Sequence, residues 1–196
     1  MTGPSPVAGQ RSLIDRVKGI LLQPKAEWTL IETEPATVGS LYTRYVLLLA
    51  AIPAIAVAIG LARFAAGWAI RLATTQYVAG LVSVYVLALI IDALAPQFGG
   101  QKSQIQALKV ATYSSTAAWV AGVFYLIPAL SVLALLGGLY SLYLLFVGLP
   151  LLMKAPADRA TGYTVVTIAC AIIIWVLIGY VAGLVGGTGG FGGRLM

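Results

Sequence analysis

Residues 89–103 read LIIDALAPQFGGQKS. The stretch begins as a run that a lipid bilayer accepts. It then delivers an aspartate, a proline, a glycine pair and a lysine within eleven residues. Upstream, Tyr77 to Ala95 carries no charge except Asp92, and about 20 apolar residues suffice to cross a hydrocarbon core about 30 Å thick. The stretch therefore marks the end of a membrane-spanning helix, with Asp92 about one turn from that end. The segment PQFGGQKSQ, directly after it, is a polar loop.

The rest of the chain fits that reading. Of 196 residues, 60% are hydrophobic and 9% charged, and the mean hydropathy is +0.97. Soluble domains carry about 25% charged residues, so this chain cannot cover a water-facing surface and belongs to the integral membrane class. No polar block is long enough for a second, soluble domain. The opening MTGPSPVAGQ has neither the basic start nor the apolar run of a signal peptide. The formal charge is +6, with basic residues scattered at span ends. That pattern suits anionic lipid headgroups and not nucleic acid. Cys170, the one cysteine, lies in an apolar run and reads as a small buried hydrophobe.

Five runs are long enough to span: 41–62, 77–95, 109–127, 129–150 and 164–185. The fold class is all-α. Pro53 lies inside the first run and should kink it. The segment between the first two runs, holding Arg63, Trp68 and Arg71, is expected to be a short loop. Pro128 leaves almost no loop between the third and fourth runs, so these form a tight antiparallel hairpin. Residues 1–40 form a separate N-terminal segment. In it Leu13, Val17, Ile20 and Leu21 recur at helical spacing, with Arg11, Asp15, Arg16 and Lys18 mostly on other faces. Such a helix should lie in the headgroup plane, with Arg16 and Lys18 toward anionic lipid. Pro24 suits the first position of a second helix. Trp28 on that helix is expected to anchor at the membrane–water boundary. Residues 186–196 read as a glycine-rich, flexible tail.

Lysine and arginine set the orientation. Nine lie on the face that receives residues 1–40 and the second and fourth loops, against three on the other. The positive-inside rule then places the N-terminus in the cytoplasm and the C-terminus outside. Asp92, Gly99, Gly100, Lys102, Lys109, Tyr113, Lys154 and Arg159 all gather at the cytoplasmic face. Lys109, Tyr113 and Thr116 share one helix face, and an Asp92–Lys109 contact is expected. Each feature also has a purely structural reading. Asp92 can be satisfied at the interface by water or a lysine, Lys109 can snorkel, and the serines and threonines can bond their own backbone. Gly99–Gly100 can be a helix-ending turn. Gly179, Gly183 and Gly187 recur every four residues, a spacing that lets helices approach closely within a bundle or in a dimer.

Three segments together resemble the Yip1 family of five-span membrane proteins: FGGQKSQIQALKVATYSSTAAWV (98–120), YSLYLLFVGLPLLMKAPADRATGYTVV (140–166) and VKGILLQPKAEWTLIETE (17–34). The likeness spans about residues 11–185 and is closest to bacterial members, which implies a five-helix bundle in the inner membrane. Eukaryotic members of the family bind Rab-type GTPases in early secretory traffic, through a longer N-terminal region with an Asp-Leu-Tyr-Gly-Pro-like motif. The segment before Leu41 is short and lacks that motif, so the resemblance does not carry that role here.

No histidine is present, which removes Ser-His and His-metal chemistry. Asp92 is the one aspartate in a span, so a paired-aspartate site is also absent. No cofactor and no catalysis are expected. The reading is a non-catalytic protein that binds anionic membrane lipid or a protein partner, including a second copy of itself, at the cytoplasmic face. The alternative is a small-solute transporter or channel lined by Asp92, Lys109, Tyr113 and Thr116.

Overall fold

A computed structural model describes residues 12–186, and side chains within that range except those of residues 175, 178 and 181–186. Arg11, Gly187 and the glycine-rich tail lie outside the described residues. The described chain is all-α, with no strand. Its helices are α1 (Leu13–Leu22), α2 (Pro24–Thr33), α3 (Val38–Leu41), α4 (Leu47–Leu94), α5 (Gln104–Ser114), α6 (Thr116–Ala121), α7 (Leu133–Leu152) and α8 (Ala157–Gly186). A π-helical turn, Tyr42–Val46, joins α3 to α4.

Three helical stretches are long and apolar enough to cross a bilayer: Val38–Phe98, Leu133–Leu152 and Ala157–Ile174. The first contains 61 residues. At about 1.5 Å per residue it would be about three bilayer cores long if straight. It is not straight. Ala65 takes an extended conformation (φ −161°, ψ 86°) and folds α4 into two arms, residues 47–64 and 66–94. The contacts show that the arms run antiparallel. Tyr42 Oη donates to Leu81 O (2.8 Å), Tyr77 Oη donates to Leu47 O (3.1 Å), and Ala54 and Val57 pack against Ala73.

One expectation changes here. The loop expected between the first two runs, with Trp68, is helix broken at a single residue. The stretch 61–76 is rich in alanine, leucine and arginine, which favour helix. Pro53 lies inside the first arm, and the residue of α4 with non-helical backbone is Ala65.

The third run is also not one helix. It divides at Ser115 into α5 and α6 and finishes in a 3₁₀ segment, Gly122–Leu126. Hydroxyls explain the break. Ser114 and Ser115 both donate to Ala111 O, and Thr116 donates to Tyr113 O, competing with the backbone for the same carbonyls. The amide of Ala118, near the start of α6, donates to Ser141 Oγ at 2.9 Å. The antiparallel hairpin around Pro128 is present. A Cβ on Gly137 would overlap Ala121, and the Ala118–Ser141 bond closes the same seam.

The N-terminal helices differ most from expectation. The apolar faces of α1 and α2 pack on the end of the bundle. Ile20, Trp28 and Ile31 are fully buried there, and Leu13, Val17 and Leu21 pack against the same core. Trp28, expected at the interface, is 0% exposed. Its indole lies against Gly148 of α7 and meets Tyr113 of α5 edge-on, with ring centroids 6.3 Å apart. Burying a side chain of this size contributes about 1.5–3 kcal/mol.

Gly148 is therefore the glycine on which the hairpin's docking depends. Gly148→Ala should drive a methyl into the Trp28 indole and cost about 1–3 kcal/mol. Gly80→Ala, where a Cβ would meet nothing within 4 Å, should be neutral or gain up to about 1 kcal/mol in helix propensity. Reversible unfolding in mixed detergent micelles measures both, and equal effects of the two substitutions would contradict this packing.

Candidate functional site

All three glutamates of the chain lie in or just after α2, at Glu27, Glu32 and Glu34, and each has a cationic partner. Arg16 of α1 donates to Glu27 at 2.7 Å and also binds Glu34. Its guanidinium sits 5.6 Å from the Tyr113 ring centroid. Burial pulls the Arg16 guanidinium down. The Glu34 hydrogen bond and the neighbouring Glu34 and Glu27 charges outweigh that pull, so it is held above its ordinary value. Gly19 makes the α1–α2 pairing possible, because a Cβ there would overlap the Glu27 carboxylate. Arg16, expected to face lipid headgroups, is 5% exposed and serves this internal cluster. Lys18 is exposed.

Lys109 projects from α5 into the C-terminal end of α2. Its ammonium donates to Ile31 O (2.8 Å), Glu34 O (2.6 Å) and, more weakly, Glu32 O (3.4 Å). Gln106, one turn earlier, donates to Glu32 O at 3.1 Å. A helix leaves its last four carbonyls without partners and carries partial negative charge there. Glu32 and Glu34 add to that charge, and a buried ammonium offsets it. Lys109 is 3% exposed, so it does not snorkel to water.

The loops after α4 and α7 meet beside this cluster. Phe98 stacks on Tyr163 (5.3 Å, 11°). Gly99 adopts φ 73°, and Gly99 N–H and Gly100 N–H donate to Pro96 O and Ala95 O. This pair of bonds is the Schellman ending of a helix, so the turn reading of the glycine pair holds. Gly100 is needed for a second reason: a Cβ would lie 2.8 Å from Met153 O, which accepts from the Gln101 amide at 2.7 Å. On the opposite loop Lys154 occupies the equivalent left-handed position, φ 54°. The amides of Lys154 and Ala155 donate to Leu151 O and Pro150 O, repeating the motif with lysine where glycine is usual. The Lys154 side chain reaches Glu32 in an ion pair.

The structure thus brings together Arg16, Trp28, Lys109, Tyr113 and Lys154, and places Gly99 and Gly100 on an adjoining turn and Arg159 in the first turn of α8. Arg159 is exposed, 3.7 Å from Asp158, and Lys102 is exposed on the same loop system. Asp92 does not join them. It is 9% exposed on α4 with Oδ1 unpartnered, while nearby Tyr163 donates to Ile91 O. The expected Asp92–Lys109 contact is replaced by the α2 carbonyls. These lie far off in sequence but nearer in space, and they offer several acceptors where a carboxylate offers one partner. Thr116 bonds Tyr45 Oη at 2.8 Å. Gly179 has nothing within 4 Å of a Cβ position, so its face is not used for packing among the described residues. Gly183 lies among the residues whose surroundings are not described. Sequence reasoning missed Glu27, Glu32 and Glu34. Two of these acids, Glu32 and Glu34, crowd the C-terminal end of a short helix against its dipole, and that was the available signal.

These contacts give a double-mutant prediction. Lys109→Met strands buried α2 carbonyls and should cost about 3 kcal/mol. Adding Asp92→Asn should change stability additively, with a coupling below about 0.5 kcal/mol. By contrast, Arg16→Met and Glu27→Gln should couple by about 0.5–3 kcal/mol, because the two side chains share a buried ion pair. Detergent unfolding curves of the four single and two double variants measure both cycles.

Comparison with known proteins identifies the family. A model of the Yip1 domain matches residues 18–191. Among similar proteins are the inner membrane protein YohC of Escherichia coli strain K12 and that of E. coli O6:H1 strain CFT073. Each is 26% identical over 178 residues, covering 82% of this chain and 90% of the relative. No solved structure matches the chain. The matched span takes in α2, the folded α4, the Gly99–Gly100 turn and both loops of the polar cluster, and the chain belongs to the Yip1 family of membrane proteins.

Proposed function

We propose that this protein is a non-catalytic organiser of the inner membrane that binds anionic lipid, or a membrane protein partner, at the end of the bundle capped by α1–α2. One observation carries the reading: the polar chemistry is spent on holding an amphipathic hairpin at that end. The hairpin's outer face is left available. Ile14, Lys18 and Leu22 recur every four residues along it, with Lys25 just beyond, and all four are exposed. Apolar and basic residues on one helix face suit an anionic membrane surface.

The reading includes five crossings. The two arms of α4 are about 27 Å and 43 Å long, and α5–α6, α7 and α8 supply the other three. The excess of lysine and arginine at the capped end puts that end, with the N-terminus, in the cytoplasm. In the solute-pathway alternative, Asp92 and Lys109 would share a cavity. Their separate surroundings do not favour it.

Two measurements test the proposal. A photo-crosslinker at Lys25 or Gln101 should capture one reproducible lipid class or protein from native membranes, and scattered adducts would count against it. In a Cys170→Ala background, Lys18→Cys should react with an impermeant thiol reagent only in inverted vesicles, and Arg71→Cys only in intact cells. Labelling of both from the same side would remove the five-crossing topology.

A further inference from the structure

The side-chain hydrogen bonds from the bundle to the α1–α2 hairpin run in one direction. Gln106, Lys109, Tyr140 and Lys154 donate, and oxygens of Leu21, Ile31, Glu32 and Glu34 accept. Three of the donors converge on one residue. Gln106 and Lys109 reach the Glu32 carbonyl, and Lys154 reaches the Glu32 carboxylate. The Arg16 pairs with Glu27 and Glu34 lie wholly within the hairpin and its C-terminal extension, so they survive if the hairpin moves as a unit. What it would leave behind is two lysines, a glutamine and the Tyr140 hydroxyl without these acceptors.

We propose that Gln106, Lys109 and Lys154 form a binding site for the phosphate group of an anionic phospholipid, with α1–α2 as its lid and Glu32 as the internal anion that fills the site when the lid is closed. The proposal rests on the lipid-binding reading above and names its site. A phosphate presents several oxygens around one negative centre, which matches donors that approach one residue from α5 and from the loop after α7. The Gln106 side chain points to the rest of the headgroup. Its Oε1 is buried without a partner, and an ionised carboxylate has no proton to give it. The hydroxyls of a glycerol headgroup do.

Apolar burial does not by itself keep the lid shut. In water, lifting it would expose Ile20, Trp28 and Ile31. At a bilayer surface the same apolar face transfers into the interfacial region. The balance then falls to the donors, which need a replacement acceptor before the lid can leave.

The test uses the full chain in nanodiscs of phosphatidylcholine, with and without added phosphatidylglycerol. Amide hydrogen exchange of residues 13–33 reads the lid, α8 serves as the internal control, and native mass spectrometry reads retained lipid. Phosphatidylglycerol should speed exchange in 13–33 and leave α8 unchanged. Glu32→Gln should open the lid at lower phosphatidylglycerol content. Lys154→Gln should weaken the response about fivefold, the contribution of one basic residue at an anionic surface. Lys154 is half exposed, so this variant stays informative even where Lys109→Gln fails to fold. Phosphatidylglycerol retained by the protein, with exchange in 13–33 indifferent to it or to Lys154→Gln, would overturn the site and leave the lipid reading standing. No retained phosphatidylglycerol at all would overturn both. Opening by inorganic phosphate in phosphatidylcholine discs would support the cradle and reassign its ligand to a free phosphate.

Discussion

The arrangement of this protein depends on one ammonium group. Lys109 enters the C-terminal end of α2 and donates to the carbonyls of Ile31, Glu32 and Glu34. Without it, a helix that ends in two glutamates would point its negative pole into the bundle with nothing to offset it. With it, α2 lies close enough for Trp28 to fill the slot at Gly148 and for Ile20 and Ile31 to be buried. A buried charge contributes little net stability of its own. What Lys109 supplies is a position, because few other arrangements satisfy its protons.

Tyr113 is the second pivot. It meets Trp28 at 6.3 Å and Tyr45 at 4.8 Å, and it carries the Arg16 guanidinium over its ring. One aromatic side chain of α5 thereby touches α1, α2 and the π-helical turn before α4. The cluster joins the most polar part of the chain to the membrane helices through a ring that tolerates both kinds of neighbour.

Much of this was legible in the sequence, for identifiable reasons. Apolar run length marked a membrane-spanning all-α chain, in which three helical stretches are long and apolar enough to cross, because bilayer thickness is a fixed external ruler. Gly99–Gly100 marked a helix end because a left-handed residue is needed to close the turn. The Pro128 hairpin came from the absence of loop length. The roles of Arg16, Trp28 and Lys109 were not legible. A basic residue and a tryptophan on an amphipathic helix carry the same signature whether that helix lies on lipid or on protein, because both surfaces are apolar beside a polar rim. Asp92 and Lys109 looked matched because each was the one charge near its span end. Sequence distance hid the α2 carbonyls, which lie 75 to 78 residues before Lys109.

By itself, then, the sequence determined the class of the protein, its all-α content, the approximate extent of its apolar segments and the gathering of its charges toward one end. Those are properties of composition and period, which local physics reads directly. Tertiary structure alone decided where the chain breaks and what the charges do. Ala65 folds α4 because the two arms can bury Ala54 and Val57 against Ala73, a gain no local propensity encodes. Glu32 meets Gln106, Lys109 and Lys154 because three separate segments end at the same place. An electrostatic partner is chosen by distance in space, and only the folded chain sets that distance.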